Sequence, residues 1–302
     1  MQQEVQKKSV LAYPQIFLII ACVYGFSSSI PVFLLSLGFS MLLLLSLRAT
    51  LGATTLLVIY RSRLFGFNKP AIKWGLICGL FNLSSMITLI YAIVLIGPAT
   101  TSVFLACGIV LIPFANWIVN RSRPKPINLV AAVLCAGGLV LALMQTGISF
   151  SFGWGQALGL ANAVFYAFFV VLLNRASKTA PSEKLNFIQL VFMALVTAVL
   201  FFCIDFSSAA FSADMIRHIW VIVFLGVITD GVVFLFQTKA QGRSNPNISA
   251  IYLYTFALFA VVFSILLGFD DFRWQLVAGA GIVFVAAILP NVAEWIKAGN
   301  KK

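Results

Sequence analysis

Arg48 and Asp230 carry charge deep inside long hydrophobic runs, LSLRATLGA and GVITDGVVF. An ionisable side chain at the centre of a membrane helix costs roughly 2.5 to 3.5 kcal/mol on insertion scales, so its presence needs a reason, and the reason is usually function. A guanidinium offers a planar fork of N–H groups that pairs a carboxylate or phosphate bidentately. A carboxylate accepts from an ammonium, or takes up and releases a proton. Together the two groups suit a zwitterion such as an amino acid. They also suit each other, or backbone carbonyls, in which case they fix helix packing.

The elements that must position them follow from composition. Of 302 residues, 62% are hydrophobic and 9% charged, and the mean hydropathy is +1.05. A soluble domain is about one quarter charged. A helical span needs about 20 apolar residues. Runs of that length fall near 14–34, 39–60, 71–96, 98–119, 127–146, 155–173, 187–204, 218–238, 247–267 and 274–295. The runs are continuously apolar and too long for barrel strands, so the expected fold is an all-α polytopic membrane protein with ten transmembrane helices. The first run follows Lys7 and Lys8 like a signal peptide, but its length and the lack of a small-residue cleavage site argue for a retained span.

Basic residues set the orientation. With the amino terminus cytoplasmic, 17 of the 20 Lys and Arg fall in inner segments, while Arg217 and Arg273 fall outside together with Asp205, Asp214, Asp270 and Asp271. Lys and Arg enrichment marks the cytoplasmic side, so both termini are expected there, at the plasma membrane and, for a bacterium, the inner membrane. The net charge of +12 is therefore largely topological. Its scatter over short loops argues against nucleic-acid binding. Arg48 and Asp230 then sit on two spans of the same direction, each about 15 to 18 Å below the outer boundary at 1.5 Å per residue.

The uncharged loop GISFSFGWG separates five spans from five more. Five being odd, the second set crosses in the opposite sense, as in inverted repeats whose substrate sites lie near the midplane. The organisation read from the sequence is a cytoplasmic segment 1–13, a first five-helix repeat 14–147, a second 155–295 and a cytoplasmic tail 296–302. Small residues recur in the fifth and tenth spans, AAVLCAGGLVLAL and VAGAGIVFVAAIL, where they would let backbones approach. The small-residue faces Gly75/Gly79 and Gly155/Gly159 serve either packing within the chain or a homodimer.

Polar residues at helical spacing mark faces that could line a midplane cavity. They are Tyr24, Ser27, Ser28 and Pro31 in the first span, Asn82, Ser84, Thr88 and Tyr91 in the third, Asn162 and Tyr166 in the sixth, Asp230, Phe234 and Gln237 in the eighth, and Tyr252, Thr255 and Phe259 in the ninth. Gly25, the triple Ser and Pro31 are expected to loosen the first helix. The candidate substrate-binding or gating set is Arg48, Asp230, Tyr24, Ser28, Asn82, Tyr91, Tyr166 and Tyr252, with Asp230 as the proton-coupling candidate. Ser and Thr also bond back to their own helix, and Tyr also anchors at the interface, so each such residue has a structural alternative. The six Trp lie near span ends, as interfacial anchors do. The five Cys stand singly within spans and read as packing residues.

The first span YGFSSSIPVF, the Arg within LSLRATLGA, the fourth span GPATTSVFLACGIVLIPF and the segment SAIYLYTFALFAVVFSILLGFDDFRWQLVAGAGIVFVAAIL resemble the drug/metabolite transporter superfamily, EamA-like branch. The resemblance covers residues 14–295. It implies ten helices in two inverted repeats and export of amino acids or related metabolites, although similar-looking members carry sugars or nucleotide derivatives. It also implies an architectural or gating share for Arg48, since members of differing substrates have an Arg there. Thr255 stands where members often carry Pro, and GFDD where they often carry Gly-Glu.

These readings converge on a secondary transporter that moves a small polar organic metabolite, an amino acid or related zwitterion, by alternating access. The alternative is uptake or exchange of a nucleotide derivative, a sugar or an S-adenosyl-type compound. No Gly-rich phosphate loop with Lys is present to use ATP. The one His, His218, has no neighbouring Cys or carboxylate, so an enzyme, a metal site or a cofactor is not expected. A channel would show a ring of like charges. A lipid flippase stays open as a lesser alternative. The expected partners are the substrate and the lipid bilayer, and Asp230→Asn is expected to abolish transport with folding largely intact.

Overall fold

A computed structural model describes residues 14–64, 66, 69–121, 123–143, 153–205, 217–243, 256–269 and 271–299. Among these, the regular structure is helical, with no strands. The helices are α1 (Pro14–Ser36), α2 (Met41–Leu64), α3 (Lys69–Ile96), α4 (Pro98–Asn120), α5 (Pro126–Leu143), α6 (Trp154–Ala176) and α7 (Ser182–Leu200). A π turn, Phe201–Asp205, closes α7. Next comes α8 (residues 219–243), a rod made of Ile219–Val223, a π-helical stretch Phe224–Val233 and Phe234–Arg243. The last are α9 (Phe256–Leu266) and α10 (Trp274–Gly299).

Six of these helices are long and apolar enough to cross a membrane, or seven if the bent α4 is one span. The chain is a multi-pass membrane protein. Apolar side chains such as Ile19, Val58, Val133 and Leu195 stand exposed on helix surfaces, which suits lipid as the surrounding medium. Buried polar residues, among them Ser29, Asn162, Asn186 and Gln189, lie inside.

Prolines shape α1 and α4 differently. In α4 the segments Pro98–Leu105 and Val110–Asn120 meet at 46°. Pro113 lacks an N–H and its ring crowds the carbonyl four residues back, at Ile109, which falls at the break. The expected loosening of α1 is not found, since Pro14–Ser36 is continuous with Pro31 inside it. Gly25 has a different use. A Cβ there would collide with Phe259 and come within 2.9 Å of the Ala260 nitrogen, so the glycine admits α9 rather than breaking α1.

The chain divides into two compact units. One contains Met1–Phe26, Ser84–Val171 and Ser244–Lys302. In it α4 packs on α5, α9 and α10, and α5 on α10. Its core includes Val103, Cys107, Val110, Cys135, Val261, Leu276 and Val283. A Cβ on Gly138 would lie 2.9 Å from the Gly279 carbonyl oxygen, so the small residues of α5 and α10 meet backbone to backbone. Phe26 and Phe263 add an edge-to-face contact at 5.4 Å.

The other unit contains Ser27–Leu83 and Leu172–Arg243. Here α2 packs along α7 and along the π stretch of α8. Leu44, Leu45, Ala53 and Leu56 of α2, Leu185 and Leu190 of α7, and Leu225 of α8 are buried. Gly75 and Gly79 seat α3 on α7, where added Cβ atoms would lie 2.7 Å from Ile188 Cγ2 and 2.9 Å from Phe192 Cδ1. In the first unit, Gly155 likewise faces Leu95 and Ile96, and Gly159 faces Phe104. Both small-residue faces thus receive neighbours from the same chain. Each compact unit draws helices from both halves of the sequence, so the units are not the two sequence repeats.

Candidate functional site

Arg48 on α2 and Asp230 on α8 meet within the second unit. The guanidinium donates from Nε to Asp230 Oδ2 at 2.9 Å and from Nη2 to Oδ1 at 2.9 Å. Parallel N–H···O bonds of this kind are the bidentate, charge-assisted geometry that an Arg fork favours. The side chains are 8% and 17% exposed, so the charges are largely out of solvent.

Three glycines bring the backbones close enough for this pairing. A Cβ on Gly226 would stand 2.5 Å from Leu51 Cβ and 3.0 Å from the Arg48 carbonyl oxygen. One on Gly52 would stand 3.2 Å from Asp230 Cβ, and one on Gly231 would stand 3.0 Å from Thr55 Cβ. The π stretch adds a second device. Its hydrogen bonds reach five residues back rather than four, which widens the turn and shifts which residues face α2; such stretches are rare and are often found at functional sites. Asp230 lies within this one, Phe224–Val233. The neighbouring hydroxyls of α2 are used locally, Thr50 donating to the Ser46 carbonyl at 2.8 Å and Thr55 to that of Leu51 at 2.7 Å. Thr229, beside Asp230, is fully buried, and among the described residues its hydroxyl has no partner.

The other residues singled out in the sequence are more dispersed. Asn82 is buried in the same unit, where its Nδ2 approaches the Met193 sulfur at 3.5 Å. Ser28 belongs to that unit as well and is half-buried. Tyr24, Tyr91 and Tyr166 belong to the other unit. Tyr24 is half-buried, Tyr91 is 49% exposed, and the Tyr166 ring lies 5.7 Å from that of Phe169. Thr88 bonds back to the Ser84 carbonyl at 2.8 Å, while Ser85 donates to Asn162 Oδ1 at 2.6 Å. Tyr252 and Thr255 lie outside the described residues. Among the described residues no His, Cys, Asp and Glu side chains cluster as a metal site. His218 stacks edge-on against Phe33 at 5.3 Å.

Comparison with known proteins bears on the second half of the chain. Residues 153–292 match the model of the EamA-like transporter family. This segment is similar to EamA-like transporter domains. The family belongs to the drug/metabolite transporter superfamily, and its members are transporters rather than enzymes. A solved crystal structure of another protein, 17% identical, matches with a TM-score of 0.69 over 93% of this chain and 97% of that one, so the fold is shared along nearly the whole length. No curated protein matches the sequence. Asp230 lies inside the EamA-like segment and Arg48 outside it.

The EamA-like segment also holds buried polar residues that the sequence reading passed over, Asn186 and Gln189 on α7 and Thr238 on α8. The signal was available as two amides three residues apart in EKLNFIQLVFM. Starting the seventh span at residue 187 placed Asn186 in a loop, whereas α7 begins at Ser182. Lys239, next to Thr238, reaches Tyr60 on α2, its Nζ lying 3.1 Å from the phenol oxygen and 4.8 Å from the ring centroid.

Proposed function

We propose that the chain is a secondary transporter that exports a small zwitterionic metabolite, of the amino-acid class, by alternating access. The observation that carries this reading is the buried bidentate Arg48–Asp230 pair beside a π-helical stretch. A closed Arg–carboxylate pair holds both recognition groups charged, as a net-neutral ion pair. A zwitterion carries the same two charges. Its carboxylate takes the place of Asp230 at the guanidinium, and its ammonium takes the place of Arg48 at Asp230. Each buried charge thereby exchanges one partner for another, rather than being left bare in a low-dielectric setting, where an unpaired ion is most costly. Asp230 is also the proposed proton-coupling carboxylate, the one acidic side chain of the pair, which would tie transport to a proton gradient.

The protein would sit in the plasma membrane, the inner membrane in a bacterium, with ten spans in two inverted repeats and both termini cytoplasmic. The bias of Lys and Arg supports this orientation. The resemblance to EamA-like proteins favours export as the direction. The test is reconstitution of the full chain in liposomes and uptake of a panel of radiolabelled amino acids, sugars and nucleotides under an imposed proton gradient. Accumulation of an amino acid is expected. Accumulation confined to sugars or nucleotides, or of none of the panel, would overturn the zwitterion reading.

A further inference from the structure

A second buried polar group lies in the α2–α7–α8 unit, on successive turns of α7. Asn186, Gln189 and Met193 are three and four residues apart and so share a face. From α3, Gly79 sets its Cβ position 3.4 Å from the Gln189 Cα, and Asn82 points Nδ2 at the Met193 sulfur at 3.5 Å, a weak acceptor. From α8, the Thr238 hydroxyl lies 2.8 Å from Asn186 Oδ1 and 3.0 Å from the Phe234 carbonyl oxygen. One hydroxyl proton cannot serve both acceptors. If Thr238 donates to Asn186, the amide nitrogen is left over. If the amide is turned to donate to Thr238, which then donates to Phe234, the amide oxygen is left over. Asn186 is under-bonded either way.

Gln189 is the more extreme case. It is wholly buried, and among the described residues neither its side-chain nitrogen nor its oxygen has a partner. An amide with both ends unpaired inside a membrane protein is unfavourable, and nearby positions of α7 carry Leu185, Leu190 and Met193 with no such cost.

We infer that Asn82, Asn186 and Gln189 form a binding site for an uncharged group presenting both a donor and an acceptor, a carboxamide above all, on the transported molecule. This rests on the transporter reading. The three side chains are uncharged amides, and an amide pairs with another by two antiparallel hydrogen bonds. A site of buried amides rejects an analogue lacking those groups because its own polar atoms then stay unpaired. The Arg48–Asp230 pair recognises charge, and the amides recognise the rest of the molecule.

The full-length protein tests this in two arms. Gln189→Met, melted in detergent without ligand, is expected to gain about 2 to 4 °C because an unpaired group is removed. Acetamide, which carries the amide and no charge, is expected to raise the melting temperature of the native chain relative to this variant. A fall in melting temperature for Gln189→Met, or an identical response of both proteins to acetamide, overturns the site. In liposomes, L-glutamine is expected to be taken up at least about ten-fold better than L-methionine, and the ratio to fall towards one in Gln189→Met and in Asn186→Leu. A ratio unchanged by both substitutions also overturns it. If neither amino acid moves, the zwitterion reading falls, while the acetamide arm still decides the amide site.

Discussion

Truncating one member of a buried ion pair leaves the other charge without compensation, at about 3 to 5 kcal/mol, whereas replacing both by apolar residues of similar volume is often neutral. The Arg48–Asp230 pair therefore revises the expectation that Asp230→Asn leaves folding intact. Asp230→Asn is expected to lower the unfolding free energy by several kcal/mol, read by denaturant or thermal unfolding in detergent. The double variant Arg48→Met/Asp230→Leu is expected to recover most of that loss. A double variant as unstable as the single one would contradict a compensated pair. Both charges were legible in the sequence, because charge inside a hydrophobic run is conspicuous. Their contact was not, because counting residues at 1.5 Å each gives depth but not the direction a side chain faces around the helix axis. That direction is set at Asp230 by a π stretch, for which the sequence reading had no rule.

Glycines decide how closely the elements approach. Gly226→Ala would place a methyl 2.5 Å from Leu51 Cβ and 3.0 Å from the Arg48 carbonyl. Overpacking of this kind costs about 1 to 3 kcal/mol, and here it would separate α2 from α8 and lengthen the ion pair. Gly137→Ala on α5 meets nothing within 4 Å and removes a flexible residue from a helix, so it is expected to be neutral or stabilising by up to about 1 kcal/mol. Thermal melting of the two variants beside the native chain checks the contrast; equal effects would remove the close-approach role. The apolar helices could be read from run length alone, and the small residues of the fifth and tenth spans do admit a close backbone approach, but that α5 and α10 approach each other is a finding of the structure. Helix bending could not be read in the same way. Pro31 and Pro113 both lie inside helices, yet of these two helices α4 is broken and α1 is continuous, a difference that the presence of a proline does not encode.

At the scale of the whole molecule, the expected organisation is two successive halves, whereas the compact units mix earlier and later helices, α2 with α7 and α8, and α4 and α5 with α9 and α10. Compactness follows contacts rather than chain order, so the repeat organisation is to be tested through topology. In a background lacking the five native Cys, single Cys residues at Gln3, Gly147 and Lys302 are expected to differ. Only the one at Gly147 should react with a membrane-impermeant thiol reagent in intact cells, since five spans separate it from either terminus. Labelling at Gln3 from outside would invert the orientation, and labelling at all three would refute an odd number of spans per half. The most direct measurement is gradient-driven amino-acid uptake into liposomes by the native chain and by Arg48→Met/Asp230→Leu, each shown to be folded by its melting curve. The native chain is expected to accumulate a zwitterionic amino acid, and the double variant no more than protein-free liposomes. Uptake by the double variant at the native rate would contradict a substrate-exchanging role for the ion pair.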